Sequence, residues 1–128
     1  MANTHLIIGA NTELGLAYCR ELASSKLGAR FVLVGDNAKQ LRGVANDLRA
    51  RNMRSVTTLL VDYSDPDLSA KLAQNEHARE VTNVLLNMPS AQFSGGRGDK
   101  GYMKQQLQQN AVQPISVMQR LLSSCPRI

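Results

Sequence analysis

The stretch Leu6-Ile7-Ile8-Gly9-Ala10-Asn11-Thr12-Glu13-Leu14-Gly15-Leu16-Ala17 constrains this chain more than any other. Three apolar residues run into a glycine turn, and the turn opens into a helical pattern. A short apolar run bounded by glycine reads as a buried strand. Gly9 can turn with no Cβ in the way. Gly15, at the start of the helix, lets that helix lie close to the strand. The first helical turn carries unpaired backbone N–H groups and the positive end of the dipole, which suits a phosphate. The same two glycines also fit a strand–turn–helix that binds nothing.

The rest of the chain repeats the alternation. His5–Gly9 is the first expected strand and Leu14–Leu27 the first helix, with Leu14, Ala17, Tyr18, Leu22 and Ala23 at helical spacing and Gly28 as its stop. Phe31–Val34 is a strand ending at Gly35-Asp36-Asn37, and Ala38–Asn52 a helix with Leu41, Val44, Ala45 and Leu48 on one face. Ser55–Asp62 is a β-branched strand. Ser64-Asp65-Pro66-Asp67 reads as a helix start, with serine as cap and the helix running to Asn75. Val81–Asn87 is the fourth strand, Met88–Gly101 a loop, and Tyr102–Ser124 one long helix of about 35 Å. Strand–helix alternation implies an α/β fold, a doubly wound parallel sheet with helices on both faces. A glycine turn after the first strand makes it a Rossmann-type, dinucleotide-binding half-fold.

Composition narrows the class. At 128 residues and 43% apolar content, residues 1–128 read as a single domain with an aliphatic core. No apolar run approaches the ~20 residues of a membrane span, so no membrane association is expected. The two cysteines, Cys19 and Cys125, form no disulfide framework, which points to a reduced, cytoplasmic setting. His5 has no nearby Cys or second His, and no metal site is expected. The net charge of +5 is concentrated around Lys39, Arg42, Arg49, Arg51 and Arg54. That stretch fits a nucleic-acid surface, but it holds no aromatic to stack on a base and reads instead as a solvated helix face.

At this point the residues resemble the short-chain dehydrogenase/reductase family over essentially the whole chain. The family's first turn reads Thr-Gly-x-x-x-Gly-x-Gly, and here Ile8-Gly9-Ala10-Asn11-Thr12-Glu13-Leu14-Gly15 takes its place. The third strand of the family ends in an Asp against the adenine, matched by Asp62 with Tyr63 after it. Asn-Asn-Ala-Gly ends the family's fourth strand, and Asn87-Met88-Pro89-Ser90 stands here. An Asn followed four residues later by Pro on the long helix is matched by Asn110 and Pro114. The resemblance implies an NAD(P)-dependent oxidoreductase represented by its dinucleotide-binding half, truncated after the fourth strand and the long helix. It places the cofactor against Gly9, Asn11, Thr12, Leu14, Gly15, Asp36, Asp62, Tyr63 and Asn87. It gives Asn110 a supporting catalytic role, holding a water. On its own the pair also fits a plain proline kink, since Pro114 deprives the Asn110 carbonyl of its helical partner. Asp36, an anion where NADP-dependent members often carry Arg, favours NAD over NADP.

The departures bear on function. Glu13 replaces the family's middle glycine and would repel a pyrophosphate unless it swings out to solvent. Ile8 replaces the Thr, and Met88-Pro89-Ser90 the Asn-Ala-Gly. The family's Ser and Tyr-x-x-x-Lys lie beyond the matched region. Tyr102 and Lys104, spaced by two, do not replace them, so no hydride transfer at a normal rate is expected of these residues alone. The alternative is a non-catalytic nucleotide-binding or protein-interaction module on the same fold. An uncharged fourth strand at the sheet edge and an apolar long helix predict a homo-oligomer or edge-strand association.

Overall fold

A computed structural model of the protein describes residues 3–25, 28–88 and 112–128. In order, they form β1 (Thr4–Ile8), α1 (Glu13–Ser25), β2 (Arg30–Gly35), α2 (Ala38–Ala50), β3 (Val56–Leu60), α3 (Leu68–Ala73), a 3-10 turn (Ala78–Glu80), β4 (Asn83–Leu86) and α4 (Gln113–Ser124). The four strands make one sheet in the order β3-β2-β1-β4. All three pairings are parallel, with Ile8 opposite both Val34 and Leu86, and Gly35 opposite Leu60.

Side-chain alternation along the strands builds two cores. Ile7, Phe31, Leu33 and Val56 face α1 and α2, where they meet Cys19, Ala23, Leu41, Val44, Ala45 and Leu48. Leu6, Ile8, Val32 and Val34 point the other way, to Leu68 and Leu72 of α3 and Val117 and Leu121 of α4. Helices on both faces explain why these strands read as continuous apolar runs. Each fully buried Ile or Leu contributes about 1.5–3 kcal/mol. Cys19 is fully buried in the first core and burial pushes its thiol up to about 12, so it packs and does not react. His5, the second residue of β1, is also buried, with its ring 5.9 Å from that of Phe31.

Several expected boundaries move inward, for local reasons. The second helix stops at Ala50, short of Asn52, because Asn52 turns left-handed (φ 69°). The Met53 N–H then returns to the Leu48 carbonyl and closes the helix end. The third helix begins at Leu68, not at the serine. Ser64 does not cap it: its N–H and hydroxyl both donate to the Asp62 carboxylate, while the Asp67 N–H donates to Asp65. β4 is shorter than expected, although Thr82 and Asn87 still donate to the Thr4 and Ile8 carbonyls at its two ends. Of the long helix, the described part is Gln113–Ser124. Asn110, Tyr102 and Lys104 lie outside the described residues.

No helix among the described residues is long and apolar enough to cross a membrane. Within them, β4 is an edge of the sheet. Val84, Leu86, Met118, Leu121, Leu122 and Ile128 line an apolar depression of about 230 Å³ between β4 and α4.

Candidate functional site at the strand ends

Parallel strands in register bring the residues that follow them to one end of the sheet. Gly9, Asp36, Asp62 and Asn87 all lie there, with β1 central. The chain winds from β1 to β2 and β3 on one side, then crosses to β4 on the other. In such sheets the crevice at this reversal is where ligands bind.

The glycine turn is built by close approach. Gly9 has φ +86°, and a Cβ there would stand 1.9 Å from the Asn87 carbonyl oxygen. A Cβ on Gly15 would stand 2.2 Å from the Gly9 carbonyl oxygen. The Gly9 and Ala10 N–H groups both donate to the Val34 carbonyl, at 3.0 and 2.9 Å. Thr12 caps α1. Its hydroxyl donates to the Gly9 carbonyl at 2.8 Å and accepts the Gly15 N–H at 3.0 Å and the Asn87 side-chain amide at 2.8 Å. The backbone N–H groups of Asn11, Glu13 and Leu14 find no acceptor among the described residues. They stand at the N-terminal end of a 13-residue helix.

Asn11 ties this turn to the tip of β2. Its amide donates to Asp36 Oδ1 and to Gln40 Oε1, each at 3.0 Å. Asp36 and Gln40 are exposed. Asn37 caps α2 through the Gln40 N–H at 3.0 Å. Gln40 escapes a motif search because it lies in the first turn of α2, past the strand end; the Asn37 cap three residues before it is the signal for it.

Beyond β3, Asp62 is exposed, and its hydrogen bonds from Ser64 hold its carboxyl below the usual range. Asp65 is held low in the same way by its contact with Lys71. These groups, with Asp36, Val61 and Leu68, border a depression of about 360 Å³. The Tyr63 side chain does not face it. Tyr63 is buried in the core, its hydroxyl has no hydrogen-bond partner among the described residues, and desolvation, with Asp36 nearby, pushes it up to about 12. The only opposing influence is the Gly9 N–H, already given to Val34. Gln113, which sequence reasoning passed over, is buried on α4 and donates to the Asp65 carbonyl at 2.6 Å. A polar side chain on the buried stripe of an amphipathic helix was the signal for it.

Leu14 is exposed on the first turn of α1. Glu13 is also exposed and lines the cleft between α1 and α2 with Arg20 and Asp47, so its carboxylate has room in solvent. In that cleft Arg20 and Arg51 both bond Asp47 and hold it below its usual range. Arg49 donates to the Val56 carbonyl at 3.1 Å. Two cations of the basic stretch are thus engaged by acceptors of the chain itself. No group of three His, Cys, Asp or Glu side chains placed to hold a metal occurs among the described residues.

No family model matches the chain, and no curated protein matches it by sequence. Solved structures do match. The NADPH dependent reductase YwfH, involved in bacilysin biosynthesis, superposes with a TM-score of 0.81 at 22% identity, over 98% of this chain and 54% of its own. A metagenomic short-chain oxidoreductase in complex with NADP gives 0.78 at 22% identity, over 95% and 56%. The 3-oxoacyl (acyl-carrier-protein) reductase of Agrobacterium tumefaciens C58, with NADP bound, gives 0.78 at 22% identity, over 95% and 47%. The chain thus spans about half the length of the solved chains it matches. Its fold is the Rossmann-type parallel α/β arrangement of about half of a short-chain dehydrogenase/reductase structure.

Proposed function

We propose that this chain is the N-terminal, dinucleotide-binding portion of an NAD(P)-dependent oxidoreductase of the short-chain dehydrogenase/reductase type, residues 1–128 forming one Rossmann-type unit. The observation that carries the reading is the turn after β1. Gly9 and Gly15 leave no room for side chains, Thr12 closes the cap, and the N–H groups of Asn11, Glu13 and Leu14 remain for an anion. Those groups fit a pyrophosphate. Asp62 borders the depression beyond β3, which suits the adenine that the resemblance places against it, and Asn87 anchors the turn from the end of β4. Tyr63 serves this cradle through its backbone and its packing, given its buried side chain. A nicotinamide bound there would supply the hydride chemistry of the full-length enzyme type. Asn110 keeps the supporting role that the resemblance gives it.

For the adenosine end we infer NAD over NADP, because Asp36 puts a carboxylate at the tip of β2. The NADP named for the three solved structures lends this choice no support. Free, buried Cys19 and Cys125 agree with a reduced, cytoplasmic setting. The apolar depression between β4 and α4 supports association of this chain with itself or with further polypeptide.

Calorimetric titration of the purified chain with NAD⁺, NADH, NADP⁺ and NADPH tests the reading. Saturable binding of one pair, lost in Gly15→Val, is expected. No binding of any of the four at millimolar concentration overturns it. Tighter binding of NADP⁺ overturns only the choice of NAD.

A further inference from the structure

The amide of Asn11 reaches from the glycine turn to the neighbouring strand, and both of its hydrogens are used there. One goes to Asp36 Oδ1 and one to Gln40 Oε1, at 3.0 Å each. A carboxylate only accepts, so the amide nitrogen has to face it. The same nitrogen draws the Gln40 oxygen inward, which turns the Gln40 Nε2 outward. Asp36 Oδ2 and Gln40 Nε2 have no partner among the described residues. An acceptor and a donor therefore stand together at the exposed tip of β2.

Gly35 belongs to this arrangement. A Cβ on it would meet Asn11 Oδ1 at 2.5 Å, Asn11 Cγ at 3.0 Å and a Leu41 methyl at 3.0 Å. The Asn11 side chain occupies the space that a side chain at position 35 would need. A side chain at 35 would therefore displace Asn11 from Asp36, whereas the acid at 36 stands where Asn11 holds it.

We propose that Asn11 is a positioning residue which sets Asp36 and Gln40 as an acceptor–donor pair for the 2′-hydroxyl of an adenosine ribose. This rests on the reading of the cleft as a dinucleotide site. A hydroxyl is both donor and acceptor, so it gives its proton to Asp36 Oδ2 and takes one from Gln40 Nε2. A 2′-phosphate offers acceptors alone and meets the carboxylate with like charge.

The test is calorimetric titration with NAD⁺ and with its analogue lacking the adenosine 2′-hydroxyl, in the unmodified chain and in Gln40→Ala, Asn11→Ala and Gly35→Ala. We expect the unmodified chain to prefer NAD⁺ about tenfold, the scale of hydrogen bonds involving a charged group. Gln40→Ala should cut that preference to about threefold or less with an unchanged melting temperature, since Gln40 is exposed. Gly35→Ala should reproduce Asn11→Ala, because both remove the Asn11 amide from its place. A preference that persists in Gln40→Ala and Asn11→Ala, or that is absent from the unmodified chain while NAD⁺ still binds, overturns this inference and leaves the dinucleotide reading standing. Absence of NAD⁺ and analogue binding in the unmodified chain overturns both.

Discussion

Glycines with equal freedom differ here in what surrounds them. Gly9 combines a left-handed φ of +86° with a backbone oxygen where its Cβ would go. Gly9→Ala is expected to destabilise by about 2–5 kcal/mol, the sum of left-handed strain and overpacking. Gly43 sits inside α2 with nothing within 4 Å of its missing Cβ. Gly43→Ala is expected to stabilise by about 0.5–1 kcal/mol. Urea unfolding of the two variants beside the parent checks both signs. Tyr63 gives a pH signature. Its buried phenol stays protonated to about 12, while the unfolded phenol ionises near the ordinary 10.0. Between those values the unfolded state binds fewer protons, so stability falls as pH rises. Tyr63→Phe removes that share of the alkaline loss. At pH 7 it also removes a buried hydroxyl with no partner among the described residues, with an expected gain of about 1 kcal/mol. A melt series from pH 7 to 11 in both proteins decides it; equal slopes above pH 10 would refute the assignment.

Helix α4 buries Val117 and Leu121 while Ile115, Met118 and Leu122 stand more than half exposed. One stripe packs on the sheet and a second has no cover among the described residues. Together with the edge of β4 it makes an apolar surface that invites association. Leu122→Glu with Met118→Lys is expected to lower the apparent mass or the aggregated fraction in light scattering at tens of micromolar (a rough working range) and to leave the melting temperature within about 2 °C. At this scale the sequence was most readable where periodicity was strong. All four strands and the helices α1 and α2 follow from apolar spacing, and Gly15 announced the close contact of α1. Boundaries were least readable where side chains compete with the backbone. Ser64 has the composition of a cap, yet the Asp62 carboxylate takes its donors. Asn52 looks like a helical residue until its left-handed φ ends the helix. Asn11 was legible as part of a motif, but its hold on Asp36 and Gln40 depends on a contact across 25 and 29 residues that no local pattern encodes.

For the molecule as a whole, parallel register is what turns scattered residues into one end of a sheet. That step was legible, because right-handed strand–helix units leave few arrangements, and the solved structures share it over nearly the full chain. Binding should couple to stability: NAD⁺ at a hundred times its dissociation constant is expected to add about 2.7 kcal/mol, read as a rise in melting temperature. No shift at any concentration would count against the cleft.

The turn after β1 has one more consequence, for motion. Loops ordinarily trade their amide hydrogens with solvent quickly. Here the Gly9 and Ala10 amides both end on the Val34 carbonyl, which belongs to the sheet interior. Their exchange should require β1 to part from β2, and so be as slow as that of Ile7. The amides of Asn11, Glu13 and Leu14, one to four residues past Ala10, should exchange freely until an anion covers them. Within five residues the chain passes from its most rigid backbone to its most responsive, and that boundary is where a ligand would be felt first.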